Sequence, residues 1–189
     1  MKTNKLVLIG ILIIAFAAMV APVLAGTTGT AYVSGNPSKY VAITLSSGTV
    51  PLTLIPNAAA TSSALTITAD SNSKFTITVN DNTGRALGDG TQGYMGNYSV
   101  TNSAYEVIPN NTKLASPLQL SGTTTGTTTV GTITPPILAA TPQTLYTGTH
   151  WVASQSLPTL FTQPVAYNDP FLLGTNVYRM DMMFTITAV

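Results

Sequence analysis

The chain predicts an all-β fold, an antiparallel β-sandwich preceded by a cleavable N-terminal signal helix, on three observations. Past residue 25 no stretch carries the apolar spacing of an amphipathic helix. Short runs rich in Val, Ile, Thr and Tyr recur instead, split by Gly, Pro, Asn and Ser. In the clearest runs apolar and polar residues alternate with a period of two, the mark of a sheet with one dry face and one wet face. Several such runs with no helices between them make a sandwich.

The leader comes first. Lys2 and Lys5 form a basic start, Leu6–Val20 is an almost unbroken apolar run, and Val23-Leu24-Ala25 ends it on a small residue. These are the three parts of a secretory signal, cut after residue 25. The alternative is an uncleaved membrane anchor. Against it, the run is shorter than the roughly 20 residues of a spanning helix, and Pro22 breaks it near the cut. The mature protein is therefore expected outside the membrane, secreted or at the cell surface.

Residues 26–62 read as N-terminal extended strands, part of the sandwich or exchanged with it, and residues 63–189 as the sandwich domain. Lys39–Leu45 alternates, and Val50–Ile55 reads as a strand whose Pro51 marks an edge or a beginning. Ala64–Thr68 points Leu65 and Ile67 one way and Thr66 and Thr68 the other. Lys74–Asn80 points Phe75, Ile77 and Val79 inward and Thr76 and Thr78 out. Asp70-Ser71-Asn72-Ser73 between them is a turn, because such side chains bond their own backbone, and it predicts a hairpin.

Asp81–Gly96 is a glycine-spaced loop. Tyr98–Val107 resumes a weaker strand, and Leu114–Leu120 is another, interrupted by Pro117. Ser121–Thr134 is a Thr/Gly tract expected as exposed strand and loop. Leu138–Pro170, punctuated by proline, reads as irregular and laid over one end of the core. Asn176–Val189 is expected as one long closing strand, with Tyr178, Met180, Met182, Phe184, Ile186 and Ala188 on its inward face.

Composition narrows the function. Charged residues make up 7% of the chain against 44% hydrophobic, so the chain can bury a core, and its surface must be neutral Thr, Ser, Asn, Gln and Gly. Such a surface suits a protein packed against copies of itself or set in a wall. The formal charge of +1 becomes −1 once Lys2 and Lys5 leave with the signal. No basic patch for nucleic acid remains among Lys39, Lys74, Arg85, Lys113 and Arg179. With no cysteine, disulfides, thiolate metal sites and cysteine nucleophiles are excluded.

Phe75-Thr76-Ile77-Thr78-Val79-Asn80-Asp81, together with Tyr178 and a closing Phe184-Thr185-Ile186, resembles the WxL surface-domain family of bacterial cell-wall-associated proteins. Phenylalanine stands at both tryptophan positions, and Ser116-Pro117-Leu118-Gln119-Leu120 looks like the family's middle strand. The resemblance spans 63–189 and implies an envelope location, with non-covalent attachment to the wall or assembly with partner proteins. The residues themselves place Phe75, Ile77, Tyr178, Phe184 and Ile186 in a shared core.

Catalysis needs converging ionisable groups. His150 has no Gly-x-Ser-x-Gly elbow with it, so no catalytic residue is assigned and no enzyme is expected. Asp81, Asn82 and Asp89, spaced by glycine, are a candidate calcium site of hard oxygen ligands, or simply turn residues. Asn97-Tyr98-Ser99 and Asn110-Asn111-Thr112 are N-glycosylation sequons. Trp151, Tyr167 and Phe171 are a candidate sugar platform, or a cover for one end of the sandwich.

The function expected is therefore a secreted structural or adhesive envelope protein, a filament or layer former, associating with copies of itself, other envelope proteins or cell-wall polysaccharide. Strand addition by Gly26–Leu45 or by the terminal strand is its expected mechanism. A surface carbohydrate-binding module and an exported hydrolase are the rivals.

Overall fold

The computed structural model describes residues 34–84, 91–107 and 112–189, and the expected signal lies outside them. Among the described residues there is no helix. Twelve strands form three antiparallel sheets: β1 Val41–Leu45, β2 Ala58–Thr61, β3 Leu65–Ser71, β4 Phe75–Asp81, β5 Gly96–Ser99, β6 Ala104–Tyr105, β7 Gln119–Gly122, β8 Thr128–Val130, β9 Gln143–Gly148, β10 Val152–Val165, β11 Asn176–Arg179 and β12 Met182–Ala188. The all-β sandwich is thus the observed fold.

The first sheet is built on β10. Thr159 pairs with Leu65 of β3 on one side and Gly122 of β7 on the other, and Thr162 likewise with Thr61 of β2 and Gln119. β3 and then β2 therefore run along one side of β10, β7 along the other, and β1 is the edge beyond β3. The facing sheet runs β12-β4-β9-β8, and a small third sheet is ordered β11-β5-β6. β1 and β2 belong to the first sheet, and the compact unit that holds all twelve strands begins at Ser38.

The alternating runs bury the faces their period assigns. Leu65, Ile67 and Ala69 of β3 meet Phe75, Ile77 and Val79 of β4 in the core, with the intervening threonines half-buried. Phe75 is 0% exposed. Each such side chain contributes on the order of 1.5–3 kcal/mol through burial. The expected hairpin, however, does not form: β3 and β4 lie in opposite sheets, and Asn72–Lys74 carries the chain across the core. The crossing is held by Ser71 Oγ, which donates to Ser73 O (2.7 Å) and accepts from Ser73 N (3.1 Å). Asn72 accepts from Tyr40 N (2.7 Å) and donates to Ser38 O (2.8 Å), so the turn's side chain serves β1 and not a hairpin partner.

Other expectations are corrected. Leu138–Pro170 is not an irregular cover. It holds β9 and β10, the latter the longest strand at 14 residues and the centre of its sheet. Pro158 is tolerated there because its C=O, and so its missing N–H, faces the side where β7 has ended; Thr123 N and the Tyr146 hydroxyl reach that carbonyl at 3.1 and 2.6 Å. A register shift opposite Ile77 and Thr78 lets Leu145 and Tyr146, consecutive in β9, both turn inward.

The closing run is two strands in two sheets, divided at Met180-Asp181, although its inward face is as expected. Tyr98–Val107 is the short hairpin β5–β6, and Leu114–Leu120 is laddered only from Gln119. Val50–Ile55 alternates in burial, Val50, Leu52 and Leu54 half-buried, but joins no sheet.

A Cβ at Gly148 would land inside the Phe75 ring. Gly148→Ala is therefore expected to lower stability by about 1–3 kcal/mol and Phe75→Ala by about 3–5 kcal/mol. Urea denaturation reads both, and an unchanged midpoint for Phe75→Ala would remove that ring from the core.

Candidate functional site

Two features of the surface stand out from the residues upward. The first is a flank. β1 and β12 are the edge strands of the two facing sheets and lie on the same side of the molecule. Neither contains a charge or a proline, the usual guards of a free edge. Their inward side chains, Val41 and Ile43 on one and Met182, Phe184 and Ile186 on the other, pack on the core yet stay half-buried.

Where β1 ends, the flank opens into a cleft of about 350 Å³. Leu45, Val50 and Leu52 form one wall, Met180, Met182 and Phe184 the other, and Leu65, Met95, Leu118 and Phe161 the floor. Its charged lining residues, Arg179 and Asp181, bond each other at 2.6 Å, with the guanidinium 4.3 Å from the Tyr98 ring. The cleft is thus apolar and methionine-rich, and methionine adapts to irregular guests.

The second feature is an apolar tip on residues 166–175. Tyr167, Phe171 and Leu173 are 85%, 88% and 79% exposed. Asp169 ties down the loop that carries these three side chains. Its carboxylate accepts from Ala166 N at 2.6 Å and from Ala115 N at 2.7 Å. Tyr178 donates its hydroxyl to Pro170 O at 2.7 Å. Burial, with the Asp169 charge adding, pushes the Tyr178 hydroxyl up to about 12.

The expected site residues fall as follows. Phe75 and Ile77 are fully buried, while Tyr178, Phe184 and Ile186 are half-buried because they lie toward the open flank. The two Phe-x-Ile runs are ladder neighbours: Ile186 is opposite Ile77, and Ala188 opposite Phe75.

The three rings of the sugar platform do not share a surface. Trp151 precedes β10 and Tyr167 follows it, which separates them by roughly 40 Å of strand at about 3.3 Å per residue. Only Tyr167 and Phe171 belong to one loop.

Asp81 is buried, and its two oxygens accept from Thr83 N (2.8 Å) and Gly93 N (2.7 Å). It clamps a turn. Asn82 is exposed, Asp89 lies outside the described residues, and no group of three or more potential ligands gathers among the described residues. Asn97 is buried in the central strand of its sheet and accepts from Asn176 Nδ2 at 2.9 Å. The folded chain therefore does not present it for glycosylation. Asn110 lies outside the described residues. His150 is exposed, its Nδ1 2.9 Å from the Thr149 hydroxyl.

Sequence reasoning missed the cleft and the role of Asp169. A signal for the cleft was present: three of the six methionines stand within Met180–Met183. For Asp169 there was none, since its partners are backbone N–H groups as far away as Ala115. The chain matches no protein-family model, no curated protein and no solved structure.

Two measurements probe the tip. Because the folded state holds the Tyr178 proton above the ordinary value of 10, its stabilising effect is complete below pH 10 and is lost as the pH rises through about 12. The melting temperature should fall across that window, and Tyr178→Phe should flatten the fall. Asp169→Ala leaves two backbone donors without their acceptor and is expected to cost about 1–3 kcal/mol and to speed proteolysis within 166–175.

Proposed function

We propose that the mature chain is a non-enzymatic, exported cell-envelope protein, a structural or adhesive β-sandwich that self-assembles by strand addition into a fibre or layer. One observation carries this: two edges, without charge or proline and without a further strand beside them among the described residues, lie side by side over a half-open apolar interior. A free edge offers a row of backbone donors and acceptors, and a strand laid along it gains hydrogen bonds and covers apolar side chains together. Val41–Leu45 is already laddered to β3 and Met182–Ala188 to β4, so the donor role falls to the segment before Ser38.

The similarity of Phe75–Asp81 and Phe184–Ile186 to the WxL surface domain supports an envelope location. The leader supports export. Exposed Tyr167 and Phe171, held in place by Asp169, favour a second reading in which the tip grips wall polysaccharide, since rigid aromatic faces stack on sugar rings.

The double variant Thr44→Lys/Thr185→Lys places a charge on the solvent side of both edges. It is expected to melt within a few degrees of the parent yet to sediment as a monomer where the parent polymerises. Unaltered polymer, by sedimentation and electron microscopy, would sink strand addition at this flank. For the second reading, Tyr167→Ala/Phe171→Ala should lower binding to insoluble wall polysaccharide about tenfold in a pull-down.

A further inference from the structure

Residues 50–54 are a strand in every respect except pairing. Val50, Leu52 and Leu54 turn inward and Pro51 and Thr53 outward, with the alternation of a laddered strand. Yet among the described residues their backbone makes no hydrogen bond. The neighbouring chain is bonded: Ser46 N donates to Thr66 O at 2.9 Å and Ala58 N to Ile55 O at 3.2 Å. The gap is therefore local, and it falls on the wall of the cleft.

Strand residues send their N–H and C=O alternately to either side. Pro51 lacks its N–H, which spoils the edge it shares with Thr53. The edge of Val50, Leu52 and Leu54 keeps every donor and acceptor. One complete backbone edge beside one adaptable apolar cleft is the equipment for receiving an extended chain, with backbone bonds for affinity and alternate side chains for the cleft.

We propose that residues 50–54 and the cleft beside them accept the segment 26–37 of a second copy as an added strand. The inference rests on the self-assembly proposed above and names its acceptor. The length of chain outside the folded unit argues for this occupant. The unit begins at Ser38, which leaves twelve residues after the expected cut. Extended, these span about 40 Å at roughly 3.3 Å per residue, more than twice the length of the acceptor. Apart from the α-amino group that the cut creates at Gly26, the segment carries no charged side chain to desolvate, and the cleft's own charges are already paired with each other. Tyr32 and Val33 are adjacent, so in either register one of them points into the cleft. A unit that carries donor and acceptor at different places forms a head-to-tail contact, which propagates instead of closing.

The absence of cysteine from the chain gives a direct test. Mature protein carrying Tyr32→Cys or Val33→Cys is mixed with differently tagged protein carrying Thr53→Cys, an exposed position that leaves the cleft intact. The mixture is oxidised mildly and resolved on non-reducing gels. Thr123→Cys, exposed on the β7–β8 side, is the control acceptor. At least one donor variant should link to Thr53→Cys about fivefold or more above the control.

Linking no better than the control overturns the proposal. So does a Val33→Cys/Thr53→Cys double variant that closes within one chain at every dilution, because the segment then serves its own unit. Sedimentation of the same samples separates the two levels. Polymer without specific linking removes this acceptor and leaves the self-assembling sandwich standing, whereas a protein that stays monomeric throughout removes both.

Discussion

The structure depends on the crossing between β3 and β4. Two consecutive strands with matching alternation could have paired edge to edge, which would have placed Leu65, Ile67, Phe75 and Ile77 on one face of one sheet in need of a second sheet from elsewhere. Instead Asn72–Lys74 carries the chain from one sheet to the other at the surface, and the two apolar faces meet each other. Two more crossings, β7 to β8 and β9 to β10, repeat the device. Gln155 ties the β7–β8 crossing to β10, through Thr125 O and through the Thr128 hydroxyl at 3.0 Å. The Tyr146 hydroxyl of one sheet meets Thr159 of the other at 3.1 Å. With no disulfide to staple the sheets, these crossings and the Tyr146–Thr159 contact keep them in register, while the close approach of Gly148 to Phe75 fixes β9 against β4 within one sheet.

That dependence explains what could be read in advance. Side-chain period specifies which way a residue faces, so the inward faces of β3, β4 and β12 were legible before any coordinates. Period says nothing about which strand lies alongside, and there the expectations parted from the fold, at the supposed hairpin and at the undivided closing strand. β9 and β10 were hidden for different reasons. Leu145 and Tyr146 both face the core through a bulge and so break the alternation. Pro158 and Pro164 argue against a central strand unless the neighbouring strand is known to be short, and buried Thr159 and Gln163 occupy positions where alternation predicts apolar residues. The candidate site was legible only as composition, in the uncharged edges and clustered methionines; that β1 and β12 share a flank is a matter of topology.

Composition then turns from a description into a mechanism. A chain with so few charges cannot guard its edges in the ordinary way, by a lysine on the rim or an inward-pointing carboxylate. Three of its carboxylates are engaged elsewhere, and in a consistent manner. Asp70 accepts from Ser154 N at 2.6 Å where β10 bulges, Asp81 from the backbone of Thr83 and Gly93, and Asp169 from that of Ala115 and Ala166. Each satisfies peptide groups that the sheets leave over, at a bulge or a loop. Asp81, with one backbone donor on each oxygen, is in this way the clamp of the turn that follows β4.

The same economy bears on the flank. In a sheet protein the unladdered backbone is usually kept in loops that water can reach from all sides. Here Val50–Leu54 is unladdered yet turns alternate side chains toward the interior. Stability alone would favour one of two exits: release into a solvated loop, or a full ladder. The segment takes neither, and the residues that flank it are bonded, Thr49 to the Ser47 hydroxyl and Ile55 O to Ala58 N, so slack in the chain is not the cause. A constraint that holds a strand extended, faces it correctly and leaves one of its edges complete is hard to account for within a single copy, and it follows directly if the missing ladder is supplied by another.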